Sequence, residues 1–297
     1  MQRKAIQLAG KTIVISLPSK WVKANNVIKG DELEIEEQER RIIVSTNKVK
    51  KSDKIIIDAD ENYDPLYIAY LYQAGVDEIR VNYKDSKVYQ KIQEKIPSLM
   101  GYEIIDQGEK YLEIKNVSAT LEEEFETILR RTFFLLEEIA KSSLEAIEKK
   151  EYIRLKDLLT MENSIDKFTD FCKRILNKIG YKDSLKTQFY YVIIRDLEKI
   201  GDYYEEIIKH AYEEKTTMSQ ETIKLFQETN EFLKMFHALF YKFEKDNINR
   251  FLQKKKELKN KEKFKKADNK ELLIIYNLMS AIRTIGNLYG PYYSTRI

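Results

Sequence analysis

RDLEKIGDYYEEI, residues Arg195–Ile207, sets two carboxylates four residues apart, Glu198 and Asp202, with Gly201 between them in a strongly helical run. A glycine inside a helix costs roughly 1 kcal/mol relative to alanine, and like charges at i,i+4 cost a few tenths more. Something must compensate. Gly201 lies on the apolar stripe of Leu197, Tyr204 and Ile208, where a missing side chain lets a neighbouring helix approach closely. The preceding helical segment, MENSIDKFTDF, places Glu162 and Asp166 at the same spacing, and the two series continue one turn further to Asp170 and Glu206. GYKDS joins the segments; folding the chain back at residue 182 sets 164 opposite 200, so both pairs stand at one height on antiparallel neighbours. Two readings follow. With 49 acids in a helix-rich chain, such pairs arise as solvated faces beside lysines, as at Glu122 and Glu126. Alternatively, four acids on one edge repel each other unless they hold a multivalent cation, and oxygen ligands on facing helices suit hard metals such as Mg, Mn, Ca or Fe.

Working outward, helical periodicity runs from Thr120 to the end, with helices expected near 120–149, 151–179, 184–213, 219–246, 248–266 and 268–289. Two three-helix units account for them. LEKIGDYY at 197–204 recurs as IRTIGNLY at 282–289, which supports that division. Residues 54–115 read β-α-β-α-β-β: KIIIDA as a buried-type strand, DPLYIAYLYQAG and SKVYQKIQEKI as helices, DEIRVNY as a strand, and YEIIDQG with KYLEIKNV as a hairpin. This small α/β layer has no Gly-rich phosphate loop and no nucleophile with a base, and reads as a spacer or dimer scaffold. KAIQLAG, KTIVISLP and ELEIEEQERRIIVST form four short strands around the helical turn PSKWVKANN. A module of this size buries little, so it is expected to complete its core in a dimer.

A chain of 297 residues, 43% apolar and 34% charged, has room for two or three domains and reads as soluble; its 4 prolines and 9 glycines favour long helices. The longest apolar runs, such as Phe133–Leu136 and Leu272–Tyr276, fall far short of the ~20 residues of a membrane helix, and the N-terminus has no signal-peptide core. A cytoplasmic protein without membrane insertion is expected. Cys172 is the sole cysteine and His210 and His237 the only histidines, so any metal must be held by carboxylates. Glu-x-x-His spacing is absent at both histidines, which argues against a carboxylate-bridged oxidase; no enzyme is expected. Residues 1–30 carry Arg3, Lys4, Lys11, Lys20, Lys23 and Lys29 and no acid, and residues 245–270 carry eleven Lys/Arg against four acids. The first is a candidate nucleic-acid footprint; the second is more simply a solvated helix face.

DLEKIGDYYEEI resembles the ERIGDxxxxI signature of PhoU proteins, and with MENSID the chain carries two ExxxD motifs of the kind those bundles use to hold metal. The resemblance implies two tandem three-helix units, with Glu162, Asp166, Glu198 and Asp202 as ligands for a metal ion such as Fe, Zn, Mn or Mg. IRTIGN departs from the motif, with Arg283 and Asn287 in place of its acids; a second cluster is not expected, and Arg283 is the candidate built-in cation there. RKAIQLAGKTIVISLPSKWVKANNVIKGDELEIE resembles the SpoVT/AbrB swapped-hairpin domain, which interlaces two chains into one barrel and binds DNA. By that resemblance Arg3, Lys4, Lys11, Lys20 and Lys23 are the candidate DNA contacts. The order is similar to archaeal phosphate-uptake regulators. The expected architecture is multidomain α+β: an AbrB-like β-barrel at 1–50, a small α/β domain at 51–117 and a PhoU-like helical bundle at 118–297. The expected function is a homodimeric DNA-binding regulator of phosphate uptake. The alternative is a signalling adaptor that binds a phosphate transporter component or a kinase, with the barrel serving only to dimerise.

Overall fold

The computed structural model describes residues 2–8, 10–38, 41–46, 54–118, 124–259 and 269–297. It separates into two compact units, 1–53 and 54–297.

In the first unit, β1 (Ile6–Leu8) pairs antiparallel with β2 (Thr12–Val14), and β3 (Leu33–Gln38) with β4 (Arg41–Thr46). Helix α1 (Ser19–Ala24) follows Pro18, whose fixed φ suits the entry to a helix. Strand alternation has produced apolar faces with nothing on them: Ile13 is 71% exposed, Ile35 66% and Ile42 61%. Among the described residues of this unit none is buried, so a single chain does not supply the core its own pattern calls for.

The second unit begins with a four-stranded sheet of order β5-β6-β8-β7, from β5 (Lys54–Ala59), β6 (Glu78–Tyr83), β7 (Tyr102–Gly108) and β8 (Tyr111–Asn116). β5 and β6 are parallel and the other pairs antiparallel. Helices α2 (Leu66–Gln73) and α3 (Ser86–Lys95) supply Ile68, Tyr72, Val88 and Ile92 to a core shared with Ile79, Val81, Leu112 and Ile114. The opposite sheet face carries Arg80, bonded to Glu113 at 2.7 Å and set over the Tyr111 ring at 3.9 Å. KIIIDA is therefore not the buried strand that its apolar run suggests: β5 is an edge strand, and Ile56 on it is 62% exposed. Three consecutive isoleucines satisfy the buried pattern and the alternating one equally, and only the one-sided helix cover decides between them.

Helices α4 (Phe125–Glu148), α5 (Tyr152–Lys178), α6 (Thr187–Glu214), α7 (Gln220–Tyr241), α8 (Lys245–Lys259) and α9 (Asn269–Ser294) complete the unit. α4, α5 and α6 pack on one another, as do α7, α8 and α9, and α6–α9 and α4–α7 contacts merge the two sets. One core runs through both, from Phe133 and Leu136 to Phe236 and Tyr292. Ser219 caps α7, and buried Glu271 on α9 accepts from Ser219 N at 2.9 Å and Ser219 Oγ at 2.8 Å, tying α7 to α9. The last helix runs five residues beyond its expected end despite Pro291, because Tyr292 is fully buried and donates to Leu239 O at 2.6 Å. Of the expected 248–266 helix, residues 260–266 lie outside the described residues.

The α/β layer sits on α5 through Arg174, which is 2% exposed. Its guanidinium donates to Tyr72 O at 2.9 Å and Val76 O at 2.6 Å, pairs with Asp77, and lies over the Tyr72 and Tyr102 rings. Both carbonyls lie at or just beyond the end of α2 and accept a second bond, Tyr72 O from Gly75 N at 3.0 Å and Val76 O from the Tyr102 hydroxyl at 2.6 Å, so the guanidinium joins a shared acceptor site at the helix terminus. Gly75 closes α2 at φ +88°, and a Cβ there would lie 3.0 Å from Lys178 Cβ, so both backbone angle and helix approach require glycine.

Candidate metal centre and basic surface

The crossing of α5 and α6 is set at Gly201. A Cβ at this position would lie 3.2 Å from Ile165 Cγ2, so the two helices meet where no side chain intervenes. Ile165 stands between Glu162 and Asp166 in sequence, as Gly201 stands between Glu198 and Asp202. The contact therefore brings the two acidic series to one height, within a residue of the expected register.

Three of the four expected ligands converge. Glu162, Asp166 and Asp202 each offer a carboxylate oxygen, and these oxygens lie within 4.8 Å of one another. Oxygens on opposite sides of an ion with bonds of 2.0–2.6 Å stand about 4–5 Å apart, which matches that spacing. Glu162 is buried, Asp166 half-buried and Asp202 exposed, so the group opens to solvent on one side. Burial, and then the neighbouring charges of Asp166 and Glu205, push the Glu162 carboxyl far up from the ordinary range. Asp166 rises through burial and then the charge of Glu198, and Asp202 rises for the same two reasons. Asp166 Oδ1 is buried without a hydrogen-bond partner, which costs free energy unless something else satisfies it. An all-oxygen donor set with one orphaned oxygen and mutually repelling charges fits a hard divalent cation.

The fourth residue behaves differently. Glu198 is paired with the Lys173 ammonium, which also reaches Asp170 Oδ1 at 3.4 Å. Asp170 in turn accepts from Gln73 Nε2 at 2.8 Å. Glu198 and Asp170 thus belong to a lysine pair beside the triad. Lys173 and Glu205 are the two participants that spacing did not reveal. Lys173 follows Asp170 by three residues, the spacing of an ordinary surface ion pair, and only tertiary packing shows that its ammonium is enclosed. Glu206, one residue from Glu205 and so about 100° around the helix, points away and lies 3.9 Å from Lys209.

Neither histidine joins the acids. His237 Nδ1 pairs with Glu137 at 2.6 Å and stacks on Phe133, and His210 lies 2.7 Å from Lys270 O. In the second repeat Lys255 on α8 lies beside the glycine: its Nζ donates to Gly286 O at 2.5 Å, and its Cε would lie 3.2 Å from a Cβ at 286; Arg283 is exposed. An open crevice of about 940 Å³ lies apart from the acids, at the carboxyl ends of β5 and β6. Its Asp60 and Asp85 accept from Asn62 N and Lys87 N, as turn and cap residues do.

All five candidate DNA contacts, Arg3, Lys4, Lys11, Lys20 and Lys23, are exposed. Lys11 follows the β1–β2 turn at Gly10, whose φ is +89°, and Lys20 and Lys23 stand three apart on α1 and so share a face.

A family model described as Antidote-toxin recognition MazE, bacterial antitoxin, matches residues 6–55. The N-terminal part of the chain is thus similar to the AbrB/MazE type of domain. No curated protein and no solved structure matches the chain. Among the described residues no helix is long and apolar enough to cross a membrane.

Proposed function

We propose that this chain is a homodimeric DNA-binding transcriptional regulator whose helical unit responds to a divalent metal ion. The observation that carries the reading is the AbrB/MazE-like match over a module with exposed basic residues and uncovered isoleucines. A second chain laid against Ile13, Ile35 and Ile42 completes the core and brings two basic surfaces into one body. Lysines and arginines on it neutralise DNA phosphates, while base edges and shape supply selectivity. The role is regulatory rather than enzymatic.

For the helical unit, Glu162, Asp166 and Asp202 hold the ion. A bound divalent cation supplies the positive charge that lets the three carboxylates ionise together and draws α5 and α6 into one clamp. Arg174 and Gln73 carry that clamp into the α/β layer, since both bind residues on the α2–α5 contact. The likeness of DLEKIGDYYEEI to the PhoU signature supports reading the response as one of phosphate homeostasis, with a phosphate transporter component as the expected partner of the helices. The MazE description favours a second reading, an antitoxin-type regulator whose N-terminal module recognises a protein toxin.

The test is binding of the full chain to DNA from its own upstream region and from phosphate-transporter promoters, against scrambled duplex, over a salt series with and without Mn²⁺. Selective binding that weakens in Lys20→Ala/Lys23→Ala is expected. The log of affinity should fall with log salt by about 0.9 per phosphate contact, with a shallower slope in the variant. Equal binding to scrambled duplex, or a slope near zero, overturns the regulator reading.

A further inference from the structure

Six acids crowd the α5–α6 face, Glu205 among them with its own Lys209 partner at 2.7 Å, and the other five are not equivalent. Glu162, Asp166 and Asp202 point oxygens at one another, whereas Asp170 and Glu198 are both taken by Lys173. The Lys173 side chain is 6% exposed, and Asp170 is buried. An ammonium in such a place is stable only because two carboxylates face it. It meets one oxygen of each of these two carboxylates, oxygens that a further cation would need, and its charge repels one.

We propose that the Lys173 ammonium is a fixed cation occupying the second cation position of the cluster, so that the cluster accepts a single divalent ion. This rests on the reading of Glu162, Asp166 and Asp202 as a metal site. The second repeat shows the same device carried further: Lys255 reaches the carbonyl of Gly286, where Arg283 and Asn287 replace the acids. In the first repeat the lysine shares the cluster with an ion. In the second the lysine stands without the acids.

Mn²⁺ is the probe, counted per full-length chain after desalting and read by electron paramagnetic resonance. The wild type should bind one ion and give the resolved signal of an isolated Mn²⁺. Lys173→Met keeps the aliphatic stem and removes the charge; it should bind two ions, with the signal broadened by coupling between neighbours. Adding Asp170→Asn and Glu198→Gln to that variant should return the count to one. In the wild-type background, Glu198→Gln alone, which keeps Asp170 against the ammonium, should leave the count at one, a measurement that holds even where Lys173→Met does not fold. One ion in folded Lys173→Met, two in the wild type, or loss of the ion in Glu198→Gln overturns the proposal. A wild type that binds none, while Glu162→Gln also binds none, refutes the metal site itself and the proposal with it.

Discussion

Replacing Glu162 by glutamine probes the triad through its own repulsion. In the folded metal-free chain the Glu162 carboxyl is pushed up to about 8 from 4.5, by burial first and by Asp166 second. A group whose folded-state pKa is raised adds stability that is full below about 4.5 and is lost as pH rises through about 8. One proton of linkage changes stability by about 1.4 kcal/mol per pH unit. Between pH 5.5 and 7.5 the wild type should therefore lose at most about 3 kcal/mol from this residue, and roughly half of that once water relaxes into the open side of the site. Glutamine does not titrate, so Glu162→Gln should lack this loss and be the more stable protein at pH 7.5. Urea unfolding in chelator at the two pH values measures the difference of differences. Added Mn²⁺ should reverse the order at pH 7.5, because the ion favours the ionised acids and binds only the wild type tightly. Parallel pH profiles for the two proteins in chelator would refute the argument that Glu162 is held protonated by its surroundings.

Arg174→Met removes one of the donors to each of the Tyr72 and Val76 carbonyls and leaves Asp77 with Lys178 at 3.2 Å; a loss of about 2 kcal/mol or more is expected in urea unfolding. A loss below about 1 kcal/mol would mean that the guanidinium contributes no more than an exposed ion pair. Ile13→Asp/Ile35→Asp places charge on the uncovered strands of the N-terminal unit and should give a monomer by light scattering, with DNA affinity falling together with the dimer. A dimer that survives both changes would place the interface elsewhere.

Much of this architecture was legible because it rests on periodicity. The helices from Phe125 onward follow apolar spacing, and the turn at GYKDS fixed the height at which Gly201 meets Ile165 to within a residue. The convergence of Glu162, Asp166 and Asp202 follows from the same mirror arithmetic. Glu198 did not, because its partner Lys173 lies seven residues beyond Asp166 and no spacing rule distinguishes an enclosed ammonium from a solvated one. Lys255 at the second repeat was not legible either, because only the packing of α8 lays its stem across Gly286. Pro291 marks a helix end by propensity, but the buried Tyr292 next to it holds the turn. In each case a tertiary contact overrode a local rule.

The meeting of Gly201 with Ile165 involves no oxygen and no charge, yet it fixes how far apart the acidic edges of α5 and α6 stand. Ligand bonds of about 2.0–2.1 Å for Mg²⁺ and 2.3–2.6 Å for Ca²⁺ differ by only a few tenths of an ångström, the same scale by which Ile165 must yield to a methyl group at 201. For the proposed ion, discrimination by ionic radius would then be written into the hydrophobic interior, and a chain that keeps every acid but carries alanine at 201 is expected to prefer the larger ion.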